Sequence, residues 1–158
     1  MKRDDLIIVR GGGDLATGTI HRLWAAGLRV LVLEIENPAA IRRQVALCEA
    51  VYTKTTEVEG LRAVRIDRYE EAEAVWQENS VPILIDPKGV SIGALKPAVV
   101  IDAILAKRNL GTRLDMAPLT IALGPGFTAG EDGGVGVATG WGELSARVRQ
   151  SRIRGFRV

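Results

Sequence analysis

The segment that decides the fold prediction is Leu6-Ile7-Ile8-Val9-Arg10-Gly11-Gly12-Gly13-Asp14-Leu15-Ala16. Its apolar half is typical of a buried strand, and the three glycines end that strand. From Asp14 to Ala26 the apolar residues recur at helical spacing, and Gly27 follows where a helix commonly ends in a left-handed residue. The segment therefore predicts a strand, a glycine turn and a helix in direct succession.

The same alternation continues along the chain. Val30–Leu33 is typical of a second buried strand, and Pro38 is expected to open a helix over Ala39–Ala50, since proline is tolerated in the first turn. Further elements are predicted as an extended stretch over 57–66 with a turn near Gly60, a helix over 69–77, strands over 81–85 and 119–123, and a strand over 97–106 that continues into a short helix ending at 107–109. The pattern predicts one Rossmann-like α/β domain over residues 1–132, with a mostly parallel sheet and helices on both faces.

The glycine turn matches a dinucleotide-binding motif. Gly11, Gly13 and Ala16 fit G-x-G-x-x-A. In that motif the first glycine allows the tight turn, the second lets the backbone approach a pyrophosphate, and a small third residue lets the helix pack closely on the sheet. The helix N-terminus adds unpaired N–H groups for the phosphates. Glu34 follows Gly13 by 21 residues, at the end of the next predicted strand, where an acid binds a ribose hydroxyl.

Polar loops at other predicted strand ends extend this site, because ligands of parallel sheets bind beyond the carboxyl ends of the strands. These loops are Glu34–Asn37, Asp86–Gly89 and Gly124–Thr128. The expected cofactor is NAD rather than NADP, since a 2′-phosphate would face the carboxylate of Glu34. The residues predicted to bind it are Gly11, Gly12, Gly13, Asp14, Leu15, Ala16, Thr17, Glu34, Glu36, Asp86, Gly124 and Gly126.

Two aspartates leave alternatives open. Asp14 places a carboxylate where the phosphates would sit, so it is either part of the nucleotide site or simply an N-cap of the first helix, with no nucleotide bound. Asp102 interrupts an apolar run, and a carboxylate there needs a partner or a function. Asp102 is accordingly a candidate catalytic residue for proton transfer or a cap of the helix expected to follow it.

Composition excludes several classes of protein. The chain has 158 residues, 47% hydrophobic and 25% charged, which suits one globular domain. One cysteine, Cys48, precludes an internal disulfide, and one histidine, His21, argues against a His/Cys zinc cluster; no metal site is predicted. No apolar run approaches the roughly 20 residues of a membrane span, and the start lacks a secretory signal. We expect a cytoplasmic protein.

The basic character of the chain is confined to its last 26 residues. Residues 1–132 carry a net charge of −2, whereas residues 133–158 carry +4 and hold six of the 18 glycines. This distribution predicts no nucleic-acid partner for the body of the protein. The segment 133–158 is an atypical Gly/Arg-rich tail in which only Ser145–Ile153 could form a helix, and we interpret it as the product of truncation or of a shifted reading frame.

Five motifs are spread over Leu6–Asp132: IIVRGGGDLATG at 7–18, LEIENP at 33–38, VVIDAILAK at 99–107, MAPL at 116–119 and GPGFTAG at 124–130. With these motifs the sequence resembles the selenium-dependent molybdenum hydroxylase accessory family, which is associated with molybdenum cofactor biosynthesis. In outline it is also similar to xanthine dehydrogenase accessory factors, which carry a Rossmann-like domain. The triple glycine followed by an acid resembles the NAD-binding loop of precorrin-2 dehydrogenases as well, where an acid beside the loop coexists with a bound dinucleotide.

The resemblance implies a nucleotide-binding accessory protein that assists the maturation of a molybdenum hydroxylase partner. Members of the family continue for roughly another domain's length beyond the matched part. The alternatives are an NAD-dependent oxidoreductase using Asp102, an S-adenosylmethionine-dependent methyltransferase, and a partner-binding module without a ligand. A homo-oligomer is compatible with the sequence but nothing in it demonstrates one.

Overall fold

The central feature of the fold is one sheet. The computed structural model describes residues 4–124, 127 and 135–137, and within them eight strands lie in the order β3-β4-β5-β2-β1-β6-β7-β8. Every neighbouring pair is parallel except β3 and β4, which form an antiparallel hairpin. The strands are β1 (Leu6–Arg10), β2 (Arg29–Glu34), β3 (Thr55–Val58), β4 (Leu61–Ile66), β5 (Val81–Ile85), β6 (Val99–Asp102), β7 (Leu119–Leu123) and β8 (Val135–Val137).

Helices cover both faces of the sheet. They are α1 (Asp14–Ala25), α2 (Ala50–Thr53), α3 (Ala72–Gln77) and α4 (Val90–Leu95). Ile7 and Val9 of β1 share a buried cluster with Ile20 of α1, while Ile8 shares a second cluster with Val75 of α3. Successive strand residues face opposite sides, so an unbroken apolar strand has to be covered on both. The predicted α/β class and mostly parallel sheet are confirmed.

The first strand–helix unit forms as the sequence predicts. Gly13, with extended backbone angles, is the N-cap of α1. At the other end Gly27 has a φ of 73°, and the Gly27 and Leu28 amides donate to the carbonyls of Trp24 and Leu23. This pair of hydrogen bonds is a Schellman motif, which satisfies the last carbonyls of the helix. Of the two alternatives for Asp14, the N-cap role is wrong, because Gly13 is the N-cap and Asp14 is already the first helical residue.

The helix predicted over Ala39–Ala50 does not form. The chain instead makes two short 3-10 turns, Arg43–Val45 and Leu47–Glu49, before α2. The Leu47 amide donates to the Thr17 hydroxyl at 3.0 Å, and the Cys48 amide donates to the Gly12 carbonyl at 2.8 Å. These amides are therefore committed to the glycine loop and α1, and tertiary contacts override the local helical pattern.

The helix predicted after Asp102 is also absent, since residues 103–113 are irregular and a 3-10 turn follows at Leu114–Met116. Leu105 has a φ of 59°, a conformation that no α-helix contains. The Asp102 carboxylate accepts the Ile104 amide at 3.0 Å, so it closes a local turn and caps no helix. Asp102 thereby ends β6 and turns the chain away from the sheet.

The helix over 69–77 and the strands over 81–85 and 119–123 form where the pattern predicts them, with the helix beginning as a 3-10 turn at Tyr69–Glu71. The extended stretch predicted over 57–66 with a turn near Gly60 is the β3–β4 hairpin, which begins two residues earlier, at Thr55. Val135–Val137 was not predicted: it adds β8 beside β7, although it belongs to the segment set apart as a tail. The suggested helix over 145–153 lies outside the described residues. In the described part of the chain, every helix is too short or too polar to cross a membrane.

Candidate functional site

A groove opens at the carboxyl ends of β1, β2 and β6. Its volume is about 330 Å³. The glycine loop forms its floor, the segment after β2 forms one wall, and the loop after β6 forms the other. The lining residues are Gly11, Gly13, Asp14, Leu15, Glu34, Ile35, Pro38, Ala39, Ala40, Ile41, Cys48, Ala103, Ile104 and Leu105. The glycine loop and Glu34, which the motif places together, thus share one cavity.

The three glycines of the loop have different surroundings. Gly11 has a φ of 94°, and a Cβ there would lie 3.0 Å from the carbonyl oxygen of Ala103. A Cβ on Gly12 would lie 3.2 Å from the Cys48 nitrogen. A Cβ on Gly13 would meet nothing within 4 Å and would project into open space. Gly11 and Gly12 therefore serve the packing of the loop, whereas Gly13 keeps the groove floor accessible.

Glu34 stands at the end of β2 with its carboxylate turned toward the glycine loop. Its two oxygens accept the Gly12 amide at 2.7 Å and the Ile35 amide at 2.9 Å. Burial raises the pKa of Glu34, and the Ile35 and Gly12 amides oppose that rise. Each carboxylate oxygen has a further lone pair. The geometry fixes the side chain and leaves acceptor capacity for hydroxyl donors in the groove.

Asp14 lies at the mouth of the groove, at the start of α1. Its carboxylate accepts the Leu15 amide at 2.9 Å and the Arg42 Nε at 2.8 Å. The Arg42 side chain is 67% exposed, so this ion pair is in contact with solvent. Arg42 nevertheless offsets the negative charge beside the helix N-terminus, which lessens the conflict between Asp14 and an anionic ligand.

Four other predicted loop residues have distinct positions. Ala16 is buried and allows α1 to approach the sheet, whereas Leu15 is exposed at the rim. The buried Thr17 hydroxyl donates to the Gly13 carbonyl at 2.8 Å and accepts the Leu47 amide, so it holds the loop and does not line the groove. Glu36 is exposed and also lies outside the lining.

Asp86 lines an adjoining cavity of about 130 Å³, together with Arg10, Glu34 and Leu110. Its carboxylate accepts the Val90 amide at 3.0 Å and both the amide and the hydroxyl of Ser91. Burial acts to raise the pKa of Asp86, but the hydrogen bonds from Ser91 and Val90 outweigh it and lower the pKa. Asp86 therefore caps the start of α4 at the edge of the site.

The other predicted site residues, as far as the structure describes them, do not line the groove. A Cβ on Gly124 would lie 3.4 Å from Leu105, so Gly124 stands behind the groove wall, and Gly126 lies outside the described residues. Asp102 is 1% exposed and lies outside the lining of both cavities. Its oxygens accept the Ile104 amide and the Thr112 hydroxyl, and Arg10 lies beside it. The structure surrounds Asp102 with partners and keeps it away from the groove.

Sequence reasoning missed several residues of the site. Cys48, which lies in the segment predicted as a helix over 39–50, is buried and lines the groove near Glu34. Burial, with the charges of Glu34 and Glu49, raises the pKa of the Cys48 thiol to about 11. Arg10, which borders the adjoining cavity, was not singled out, although a signal existed: Arg10 ends one apolar run, and Asp102, of opposite charge, interrupts another.

Larger space exists at the opposite edge of the sheet. A cavity of about 750 Å³ is lined there by the charged residues Asp4, Asp5, Lys96 and Asp115 together with apolar residues such as Leu6, Ile92 and Leu95. It lies at the amino ends of the strands, whereas ligands of parallel sheets bind at the carboxyl ends, where the glycine loop is. Among the described residues, no group of three or more His, Cys, Asp or Glu side chains could hold a metal ion.

The chain is similar to one curated protein of unestablished function. It is 49% identical over 127 residues to the uncharacterized protein YqeB of Escherichia coli (strain K12). The match covers 80% of this chain and 24% of YqeB, so the chain spans about a quarter of the length of that relative. No protein-family model matches the chain, and no solved structure matches it at a significant level.

Proposed function

We propose that this chain is the dinucleotide-binding part of an accessory protein for the maturation of selenium-dependent molybdenum hydroxylases, with NAD as the nucleotide. The observation that carries the nucleotide assignment is the groove between the ends of β1, β2 and β6. Gly13 offers open backbone at its floor, and Glu34 lies beside it. This is the arrangement that binds a pyrophosphate and a ribose in dinucleotide-binding domains.

The strand order supports a Rossmann-like fold. The run β5-β2-β1-β6-β7-β8 has the same order as the 3-2-1-4-5-6 arrangement of doubly wound dinucleotide-binding sheets, with the β3–β4 hairpin added at one edge. β2 lies on one side of β1 and β6 on the other, so the direction in which strands are added to the sheet reverses at β1. Ligands of such sheets bind at this reversal, the topological switch point, and the groove lies there.

NAD fits the groove better than NADP. The Glu34 carboxylate is held by two backbone amides and can accept ribose hydroxyls. A 2′-phosphate placed against it would bring two anions together at a partly buried position. The apolar side chains of Ile35, Pro38 and Ile41 continue the same wall and suit a flat heterocycle.

The accessory role rests on the resemblance of the chain over Leu6–Asp132. This role implies a molybdenum hydroxylase as the partner, and the maturation would concern the cofactor of that enzyme. The near-neutral body of the protein argues against a nucleic-acid partner, and the buried, reduced Cys48 suits the cytoplasm. Where this chain is part of a longer protein, the accessory activity is proposed for that whole protein.

The enclosure of Asp102 argues against the alternative of an oxidoreductase that uses it for proton transfer. A general acid or base has to come within hydrogen-bond reach of the substrate. Asp102 instead meets Thr112, Arg10 and the Ile104 amide. An S-adenosylmethionine site and a module without any ligand are the outcomes that the following experiment separates from NAD binding.

Thermal unfolding with NAD, NADP and S-adenosylmethionine tests the proposal. NAD at 100 times its Kd stabilises the folded state by about 2.7 kcal/mol. For a domain of this size that is a rise in Tm of roughly 5–10 °C. NADP and S-adenosylmethionine should give much smaller shifts. A shift with S-adenosylmethionine alone, or with none of the three, would overturn the NAD assignment.

Two glycine variants locate the binding. Gly13→Ala adds a methyl group that meets no protein atom within 4 Å, so the apoprotein should keep its Tm while losing the NAD shift. Gly18→Ala is the matched control, because Gly18 also has open space but lies on the exposed side of α1, outside the groove lining. It should keep the full NAD shift. Equal shifts in both variants would place NAD elsewhere.

A further inference from the structure

A buried polar cluster lies beneath the groove, where β1 and β6 end. Arg10 and Asp102 are register partners in these strands, and the Arg10 Nη1 lies 3.7 Å from the Asp102 Oδ2. The Thr112 hydroxyl stands between them: it accepts a hydrogen bond from Arg10 and donates one to Asp102. All three residues are at most 2% exposed. The cluster is therefore shielded from solvent and internally satisfied.

The same cluster ties together the loops that surround the site. The Arg10 Nη2 donates to the carbonyl of Pro87, after β5, at 3.3 Å, and to that of Leu110, after β6, at 3.4 Å. Thr112 anchors the far end of the irregular stretch that begins at Ala103. Within the stretch, Asn109 accepts the Gly111 and Thr112 amides and donates to the Thr112 carbonyl, which makes a local turn. The contacts of Arg10 and Asp102 with Thr112 attach this turn to the ends of β1 and β6.

A gain in the stability of the fold does not by itself explain why these three buried polar residues occur together. A buried ion pair can often be replaced by apolar residues of similar volume without loss of stability. What the cluster supplies is a defined position for the loop after β6. The start of that loop, Ala103–Leu105, is the second wall of the groove. A precise wall matters to binding, because small displacements of a site weaken it strongly.

We propose that Arg10, acting through Thr112 and Asp102, is the positioning residue for this second wall and thereby sets the affinity for the far half of the dinucleotide. The inference rests on the proposed function. A mononucleotide such as AMP needs the first wall, at Glu34, and the glycine loop. NAD extends beyond Gly13 and also contacts Ala103–Leu105. Arg10 borders the smaller adjoining cavity, but it is only 2% exposed, so its effect on the nucleotide would pass through the second wall.

Calorimetric titration of AMP and NAD into variants of Thr112 tests this. Thr112→Val keeps the shape of the side chain but removes the hydroxyl that links Arg10 to Asp102. NAD affinity should fall by roughly tenfold. AMP affinity should change by less than about twofold, because the first wall is untouched. Thr112→Ser retains the hydroxyl and should restore NAD affinity, which a loss caused by altered packing alone would not require.

Thr120→Val is the matched control, since Thr120 is a buried threonine of β7 whose hydroxyl bonds only weakly, at 3.4 Å, to the Leu114 carbonyl. It should leave both affinities unchanged. Hydrogen exchange on the unsubstituted chain gives a second measurement that needs no variant to fold: NAD, but not AMP, should slow exchange at 103–105.

The outcomes separate the two proposals. Equal losses of NAD and AMP affinity in Thr112→Val, unchanged NAD affinity, or equal protection of 103–105 by both nucleotides would overturn the positioning role while leaving nucleotide binding intact. Failure of the unsubstituted chain to bind either nucleotide would overturn the proposed function, and the positioning role with it.

Discussion

Gly11 and Gly13 lie two residues apart and obey different constraints. Gly11 has a left-handed φ and no room for a Cβ beside the Ala103 carbonyl, whereas Gly13 has an ordinary φ of −64° and open space. A glycine motif in a sequence does not show which glycine has no room for a side chain and which one has open space. A glycine that the packing requires and a glycine that leaves its backbone open are distinguished only by their neighbours.

Gly11→Ala should therefore destabilise the fold, while Gly13→Ala should not. The left-handed backbone and the 3.0 Å contact with Ala103 should cost about 1–3 kcal/mol in Gly11→Ala. Gly13→Ala should change the free energy of unfolding by less than about 0.5 kcal/mol, because the smaller loss of chain entropy on folding offsets the weaker N-cap preference of alanine. Urea denaturation of the two variants measures the difference. Equal stabilities would contradict the described geometry of the loop.

Cys48 should be unreactive in the folded protein. Burial raises the pKa of its thiol to about 11, so very little thiolate exists near neutral pH, and the thiolate is the nucleophile. Alkylation by iodoacetamide at pH 7.5 should be at least about tenfold slower in the folded chain than in urea. The folded-state rate should rise steadily toward pH 11. A fast, pH-independent reaction in the folded chain would show that the thiol is accessible and ionised.

At the scale of secondary structure, the groove residues lie mostly at the ends of strands and helices. Every groove residue on a strand or helix stands at its terminus or follows it closely: Gly11 after β1, Glu34 at the end of β2, Asp14 at the start of α1. The carboxyl ends of parallel strands meet at one edge, so residues distant in sequence converge. This convergence follows from the alternation of strands and helices in the sequence.

Asp86→Ala should weaken α4 in a pH-dependent way. The hydrogen bonds from Val90 and Ser91 satisfy the N-terminus of this helix, and losing such a cap costs about 1 kcal/mol. Because the folded-state pKa of Asp86 is lowered, its contribution is present above the ordinary value of 3.8 and is lost as the pH falls through the folded-state pKa. The stability difference between wild type and variant should be full at pH 7 and shrink below pH 3.8.

Asp67→Ala serves as the control for that measurement. The Asp67 side chain is 83% exposed, and its ion pair with Arg65 spans 3.8 Å, so its removal should change the stability little at any pH. Urea unfolding at a series of pH values gives both comparisons. A loss in Asp86→Ala that stays constant through the acid range would show that packing, and not the ionised cap, is responsible.

At the scale of the whole molecule, the single sheet couples both hydrophobic clusters. The clusters lie on opposite faces of the same strands, so neither can lose its packing without disturbing the other. Tryptophans report on each side: Trp76 Nε1 donates to the Val30 carbonyl, and Trp24 Nε1 donates to the Asn79 carbonyl. The molecule is thus expected to behave as one cooperative unit.

Unfolding should accordingly follow a single transition. In a Trp141→Phe variant, which leaves Trp24 and Trp76 as reporters, the urea transitions followed by fluorescence and by far-ultraviolet circular dichroism should coincide. The midpoint should move upward with NAD in both signals together. Two separated transitions would mean that the two faces of the sheet unfold independently.

The sequence by itself determined the α/β class, the first strand–helix unit and the pairing of the glycine loop with Glu34, because these follow from hydrophobic period, glycine and strand ends. Only the tertiary structure decided the segments 39–50 and 103–113, since their backbone amides or side chains bond to distant partners that no local pattern contains. The same holds for Asp102. An isolated carboxylate in an apolar run suggested chemistry, but Arg10 and Thr112, brought to it by strand register and loop closure, make it part of the support of the groove. Local periodicity encodes elements, whereas the satisfaction of buried charge depends on which elements meet.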